Sequence, residues 1–195
     1  MQARLDASRE TIVRAAITLL TEHGYAGCSV AAVATRAGVA TGTVYRHFPS
    51  KAELVTEVFR GAAGREVNAV ADAVHRPGAT IDRITAVIET FAGRAFKAPR
   101  LAYALLAEPV DPAVDAERLV FRRAYRDLVA ATVADGVARG LLPPQNPDVT
   151  AAALVGAIAE ALVGPLAAGT PAPDTIPSLI TFAVRAVGGS DAGNA

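Results

Sequence analysis

Tryptophan is absent from this chain, cysteine occurs once, and six Phe and four Tyr make up the whole aromatic content. A single thiol, Cys28, forms no internal disulfide, and nothing near it has metal-ligand spacing. The sequence therefore predicts neither a disulfide-stapled fold nor a metal or other cofactor, and Cys28 is expected to be a small buried hydrophobe. So few aromatics also argue against a β-sandwich, which leans on aromatic and β-branched residues. An excess of one charge is missing too: 19 Lys and Arg balance 19 Asp and Glu. No apolar stretch is read as long enough to cross a bilayer, and the charged start "MQARLDASRE" lacks the apolar core of a signal peptide. These absences lead us to expect a soluble, cytoplasmic protein with no membrane partner.

What is present in quantity is Ala, Leu, Val and Arg, within a hydrophobic content of 52% over 195 residues. That is ample for a buried core, and the preferred residue types are helix formers. The predicted fold class is all-α, with about nine helices.

The neutral average hides an asymmetry. Up to Lys51 there are six basic residues, Arg4, Arg9, Arg14, Arg36, Arg46 and Lys51, against Asp6, Glu10 and Glu22. The first quarter is thus basic and the remainder mildly acidic, which suggests a division of labour.

Apolar spacing and helix signals divide the chain further. Ile12, Ala16, Leu19 and Leu20 line one face of a first helix that Gly24 stops. "SVAAVATRAGV" reads as a short helix with Ser29 as N-cap and Gly38 as terminator, and "TGTVYRHF" as a third helix stopped by Pro49. Ser50-Lys51-Ala52-Glu53 forms a capping box that opens a fourth helix running to about His75. After Pro77-Gly78 come amphipathic stretches at roughly 80 to 97, 100 to 109 and 112 to 139, a Pro-rich loop "LLPPQNPD", and two apolar helices. We expect a basic N-terminal domain at 1–50, a connector helix at 51–76, a second helical domain at 77–188 and a flexible tail at 189–195.

The stretch around residues 33 to 51 carries the functional signal. Val33 and Val44 supply the contact between two steeply crossed helices, Ala34 leaves room for close approach, and Gly38 permits the positive φ of a three-residue turn. An ordinary αα-hairpin would account for those residues, but not for Thr41, Thr43 and Tyr45 on the exposed side, with Arg46, His47 and Lys51 beyond. These are donors suited to base edges and phosphate oxygens, and Gly42 removes a side chain where the helix would press on a surface. Double-stranded DNA fits that surface. Arg36, Thr41 and Thr43 are expected at base or groove edges, with Ser29, Tyr45, His47 and Lys51 on phosphates.

These residues resemble the DNA-binding domain of the TetR family of bacterial transcriptional repressors. Gly24-Tyr25, Ala37-Gly38-Val39, Gly42-Thr43-Val44-Tyr45, His47-Phe48 and Lys51 match the family pattern one for one. Cys28 stands where Thr is common and Ala40 where Ser often caps the recognition helix, leaving Thr41 as the alternative cap. The resemblance covers the first quarter of the chain. It implies an N-terminal helix-turn-helix domain and a C-terminal domain that dimerises and binds a small inducing ligand.

The C-terminal residues allow an independent expectation of self-association. Leu154, Val155, Ile158 and Leu162 on one helix and Ile176, Ile180 and Val184 on the next form wide, nearly uncharged stripes suited to a four-helix interface in a homodimer. For a lipophilic small-molecule ligand, the middle helices offer Phe91, Phe96, Tyr103, Leu106, Phe121 and Tyr125, with Arg94 and Arg122 nearby for an anionic group. "AEPVDP" is expected to shape the mouth of that pocket.

An enzyme is not expected. His23, His47 and His75 fall on different helices, with no HExxH, no GxSxG, no paired-carboxylate spacing and no phosphate loop. The leading expectation is a ligand-responsive repressor that binds a pseudo-palindromic operator. The alternatives are an activator of the same fold and a helical ligand-binding or interaction module with a vestigial DNA head.

Overall fold

The computed structural model describes residues 2–188, so the expected tail at 189–195 lies outside the described residues. Among those described there are nine α-helices and no strand: α1 (Gln2–Gly27), α2 (Val30–Ala37), α3 (Thr41–His47), α4 (Lys51–Val74), α5 (Thr80–Lys97), α6 (Pro99–Leu106), α7 (Pro112–Ala138), α8 (Pro147–Ala168) and α9 (Thr175–Ala186). The all-α expectation holds, and the helix ends fall within a few residues of the breakers in the sequence.

The chain folds as two compact units, and the division differs from the boundary expected near residue 76. One unit joins Met1–Gly64 to Ala98–Leu119; the other joins Arg65–Lys97 to Val120–Ala195. Helices α4 and α7 each contribute to both. The Pro77-Gly78 step ends a helix, but a helix end need not coincide with a change of core. What sequence punctuation could not reveal is that α6 packs on α1 in the first unit.

In the first unit the predicted α1 stripe of Ile12, Ala16, Leu19 and Leu20 is buried, together with Val33, Ala34, Val44, Phe48, Leu54 and Val58. Cys28 lies in this core with its Sγ 3.8 Å from the carbonyl oxygen of Ala16. Burial pushes its thiol up to about 11, against a smaller opposing pull from Lys51. The thiolate that alkylating reagents attack is therefore scarce at neutral pH. Native protein is expected to resist iodoacetamide at pH 8 and to react stoichiometrically in urea; labelling at equal rates in both would contradict this.

In the second unit α5, α8 and α9 pack on one another. Ile84, Ile88, Leu154, Ile158, Leu162, Leu166, Ala183 and Val184 are buried here. Asn146 caps α8 by accepting from the N–H groups of Asp148 and Val149, and Pro147 fills the first turn, where no N–H is required. This helix starts two residues before the expected Val149. Its 22 residues are long and apolar enough to cross a membrane, contrary to the expectation of no such stretch. The alanines among its leucines and valines keep its mean apolarity high without a single unbroken bulky run. Leu154, Ile158, Leu162 and Leu166, however, recur at the i, i+4 spacing of a face turned into a protein core.

Candidate nucleic-acid interface

Local chemistry sets the reading head. The Ser29 hydroxyl accepts from the Ala32 N–H at 3.1 Å and starts α2. Gly38 ends that helix in the left-handed region at φ 67°, donating its N–H toward the Ala34 and Thr35 carbonyls. Two residues later α3 begins after Ala40, which offers no capping side chain. Thr41 is already helical and does not replace it, so the sequence alternative of a Thr41 cap is corrected. Its hydroxyl is thereby left available at the front of the helix. Val44 is fully buried, and the Phe48 N–H closes the helix on the Val44 carbonyl at 2.8 Å. Behind it, the Ser50 hydroxyl accepts from the Glu53 N–H at 3.1 Å to start α4.

One anchoring residue in a seven-residue helix leaves the other face outward. Thr41, Gly42, Tyr45 and Arg46 are exposed, and Tyr45, the one large ring on this face, is 50% accessible. Thr43 is half-buried at the edge. A Cβ built on Gly42 would meet no protein atom within 4 Å. Internal packing therefore does not demand glycine there, and the space it leaves faces outward. Exposed hydroxyls, an exposed aromatic and a missing side chain on a short rigid helix suit the floor and rim of a major groove.

Two of the residues expected on phosphates or base edges, Lys51 and Arg36, are engaged by other residues of the protein. Lys51 donates from Nζ to the Tyr25 carbonyl at 2.9 Å and sits 3.8 Å from the centre of the Tyr25 ring. It is a strut for the α1–α2 junction in this structure. Arg36 is exposed but held by Glu22 through two hydrogen bonds, at 3.1 and 2.6 Å. His47 is half-buried, with its Nε2 enclosed and without a hydrogen-bond partner. Ser29 is exposed and spends its hydroxyl on the helix cap, a role compatible with a phosphate at the same N-terminus.

A second layer, which the sequence did not single out, holds the junction behind this face. Gly24 adopts φ 67° and ψ −170°, breaking the regular path of α1, and a Cβ there would lie 2.9 Å from a Glu108 oxygen. The next residue, Tyr25, donates its N–H to Glu108 at 2.9 Å and its hydroxyl to the Asp111 carboxylate. Burial first, and then Asp111, raises the Tyr25 phenol above its ordinary value. Glu108 and Asp111 belong to "AEPVDP", so within this unit that segment grips the reading head. Arg118 completes the layer. Its guanidinium, on a side chain only 12% accessible, donates to the carbonyls of Ala104, Leu105 and Glu108 at 3.1, 3.0 and 2.8 Å and pairs with Asp115 at 2.6 Å. The last turn of α6 thereby receives partners for carbonyls that the helix cannot satisfy itself. No local motif marks such a residue, because its acceptors lie on a different helix.

The expected ligand set divides between the units. Phe91, Arg94, Phe96, Phe121, Arg122 and Tyr125 belong to the second, whereas Tyr103 and Leu106 belong to the first. Phe91 and Tyr125 meet edge to face with centroids 5.2 Å apart, and burial raises the Tyr125 phenol. Beside them Arg94 is paired with Glu66 through two hydrogen bonds. Phe96 and Phe121 are half-buried and Arg122 is exposed.

The expected dimer stripe needs correction as well. Leu154, Ile158, Leu162 and Val184 are buried within the second unit, Leu162 completely, while Val155, Ile176 and Ile180 are only partly covered. The bulky stripe is needed to fill the core against α5. What remains outward is a different set. On α8 it comprises Val149, Ala152, Ala153, Gly156, Glu160 and Gly164, and on α9 a shallow groove runs along Pro177, Ser178, Thr181 and Phe182. Val149 and Phe182 are 64% and 47% accessible.

Comparison with known proteins agrees with this geometry. The family model described as "Bacterial regulatory proteins, tetR family" matches residues 12–58. A fatty acid metabolism regulator protein of Bacillus subtilis is 27% identical over 77 residues, and that match spans 40% of each chain. The crystal structure of a transcriptional regulator FadR from Bacillus subtilis in complex with stearoyl-CoA superposes with a TM-score of 0.78 at 18% identity, over 93% of this chain and 98% of that one, which shows the shared fold. An uncharacterized HTH-type transcriptional regulator of Mycobacterium tuberculosis is 32% identical over 165 residues, covering 81% of this chain and 72% of its own length. With its helix-turn-helix at 30–47 and an alignment extending across both units, the chain belongs to the tetR family of bacterial regulatory proteins.

Proposed function

We propose that the protein is a homodimeric repressor that reads a pseudo-palindromic operator with two copies of α3 and is released by a lipophilic small molecule. The observation that carries the reading is the outward face of α3. Thr41, Gly42 and Tyr45 have no packing task inside the protein, while Val44 and the turn at Gly38 fix their orientation. Thr41 and Thr43 serve base edges; Tyr45 and the α2 cap at Ser29 serve phosphates. The small outward residues of α8, together with the Phe182 groove on α9, support pairing with a second copy, because small side chains allow helices to approach closely. A two-fold partner supplies the second half-site. For the ligand, support comes from the aromatic pair Phe91 and Tyr125 and from the stearoyl-CoA carried by the FadR of similar fold. Ligand acts by binding more tightly to the conformation that does not fit DNA.

The test is binding to a duplex from the gene's own upstream region and to a random duplex, followed by fluorescence anisotropy across a salt series. Selective, salt-dependent binding is expected, along with lower transcription from the bound promoter. Failure of genome-wide selection to find any preferred site would refute the operator reading. Within it, Tyr45→Phe should weaken both duplexes alike by about 1 kcal/mol, whereas Thr43→Ala should lower affinity for the preferred duplex and narrow the gap to the random one. Equal losses on both duplexes for Thr43→Ala would remove it from the base-reading set.

A further inference from the structure

Between Glu10 and Glu53 the chain contains one acidic residue, Glu22, amid Arg14, His23, Arg36, Arg46, His47 and Lys51. A segment whose partner is a polyanion is expected to exclude carboxylates, and this segment retains one. The structure shows what that carboxylate does. Both Glu22 oxygens accept from the two terminal nitrogens of Arg36, at 3.1 and 2.6 Å, in the parallel fork that a phosphate would also occupy. The pair lies in the open, with the Arg36 and Glu22 side chains 38% and 43% accessible, so an outside anion can reach the guanidinium. The place of Glu22 is fixed independently. Arg100 of α6 donates to its main-chain carbonyl, and the His23 Nε2 lies 3.6 Å from its carboxylate.

We infer that Glu22 is a built-in competitor for the DNA backbone: its carboxylate stands in for a phosphate on Arg36, two residues before the Gly38 turn, and withholds that guanidinium from the duplex. The inference rests on the DNA-binding reading above. Its physical basis is an exchange between two anions for one fork. An exposed ion pair contributes little to stability, so evolution can retain or discard it without consequence for the fold. Its effect on a polyanion ligand is larger in kind, because each phosphate neutralised releases condensed counterions and steepens the salt dependence. Glu22 thus sets how strongly the head holds DNA of any sequence, and a lower grip on random duplex widens the contrast with the preferred one.

The experiment uses the full-length protein and the two duplexes described above, with binding measured from low to moderate salt. Glu22→Gln keeps the shape of the side chain and removes its charge. We expect it to bind both duplexes more tightly, by roughly three- to tenfold at low salt, and to steepen the logarithmic salt slope by about 0.9, the value of one added phosphate contact. The double variant E22Q/R36A should return the slope to that of the unaltered protein, which assigns the gain to Arg36. Glu53→Gln removes the same charge without releasing a guanidinium and should leave the slope unchanged. If the unaltered protein binds selectively but Glu22→Gln gives the same slope or weaker binding, with helicity by circular dichroism intact, Glu22 is a tie between α1 and α2 and the inference is overturned. A gain that persists in E22Q/R36A overturns it equally. If the unaltered protein shows no preference for any duplex, the underlying DNA-reading proposal fails first, and the inference with it.

Discussion

Replacing Gly42 by Ala is expected to stabilise the protein while weakening its hold on DNA. Gly42 is the second residue of α3, has no left-handed backbone angle, and faces outward with no protein atom near the position of a new Cβ. Alanine is favoured over glycine in a helix by about 1 kcal/mol, so the free protein gains and its midpoint of thermal unfolding rises by about 2–4 °C. If α3 enters the groove as proposed, the same methyl occupies the closest approach between helix and DNA. Overpacking a fitted contact typically costs about 1–3 kcal/mol, which corresponds to roughly fivefold to 150-fold in affinity. The opposite signs make the prediction informative, because a substitution that merely damaged the fold would lower both quantities. Differential scanning calorimetry and anisotropy on one preparation would decide it. Unchanged affinity in the stabilised variant would show that α3 does not press on DNA at this residue.

Arg118→Ala is expected to produce the largest loss of stability. One guanidinium serves three main-chain carbonyls at the end of α6 and a carboxylate on its own helix, and its side chain is largely enclosed. Truncation leaves acceptors without donors and removes a cation from a helix C-terminus, where the dipole favours one. A cost of about 3 kcal/mol is expected, in the range for breaking a buried charged network. Arg118→Lys should recover only part of it, since a single ammonium cannot reach three carbonyls in the fixed geometry of the fork. Urea denaturation gives the total, and amide exchange locates it: the α6 amides and the Tyr25 N–H, which is held by Glu108, should lose protection first. A change below about 0.5 kcal/mol would place this network among surface contacts of little consequence.

The reading head was legible because each of its devices is local. The Ser29 cap, the Gly38 terminator, the Ser50 cap and the single anchor Val44 act on neighbours within a few residues, so their spacing reveals them. Ala40 was equally legible as a missing cap, although the suggestion that Thr41 replaces it did not hold. Lys51 shows the limit. Its place in the first turn of α4 indicates a phosphate site, yet the side chain folds back onto Tyr25, a partner 26 residues away that spacing cannot identify.

Hydrophobic periodicity and helix signals determined by themselves that the chain is helical, to within a few residues where its helices start and stop, and that residues 30 to 47 form a turn presenting polar groups, since backbone preference and side-chain period act over one or two turns. Which apolar face becomes core was decided only by tertiary packing. The stripe from Leu154 to Leu162 suits a partner subunit and a protein core equally in sequence; packing with α5 and α9 claims it for the core and leaves small residues outside. Tertiary structure alone also placed Glu22 on Arg36, Glu108 and Asp111 on Tyr25, and Arg118 under α6. Charges and hydrogen bonds between distant segments depend on where helices cross, and that is fixed by the whole set of buried volumes and by no single stretch of residues.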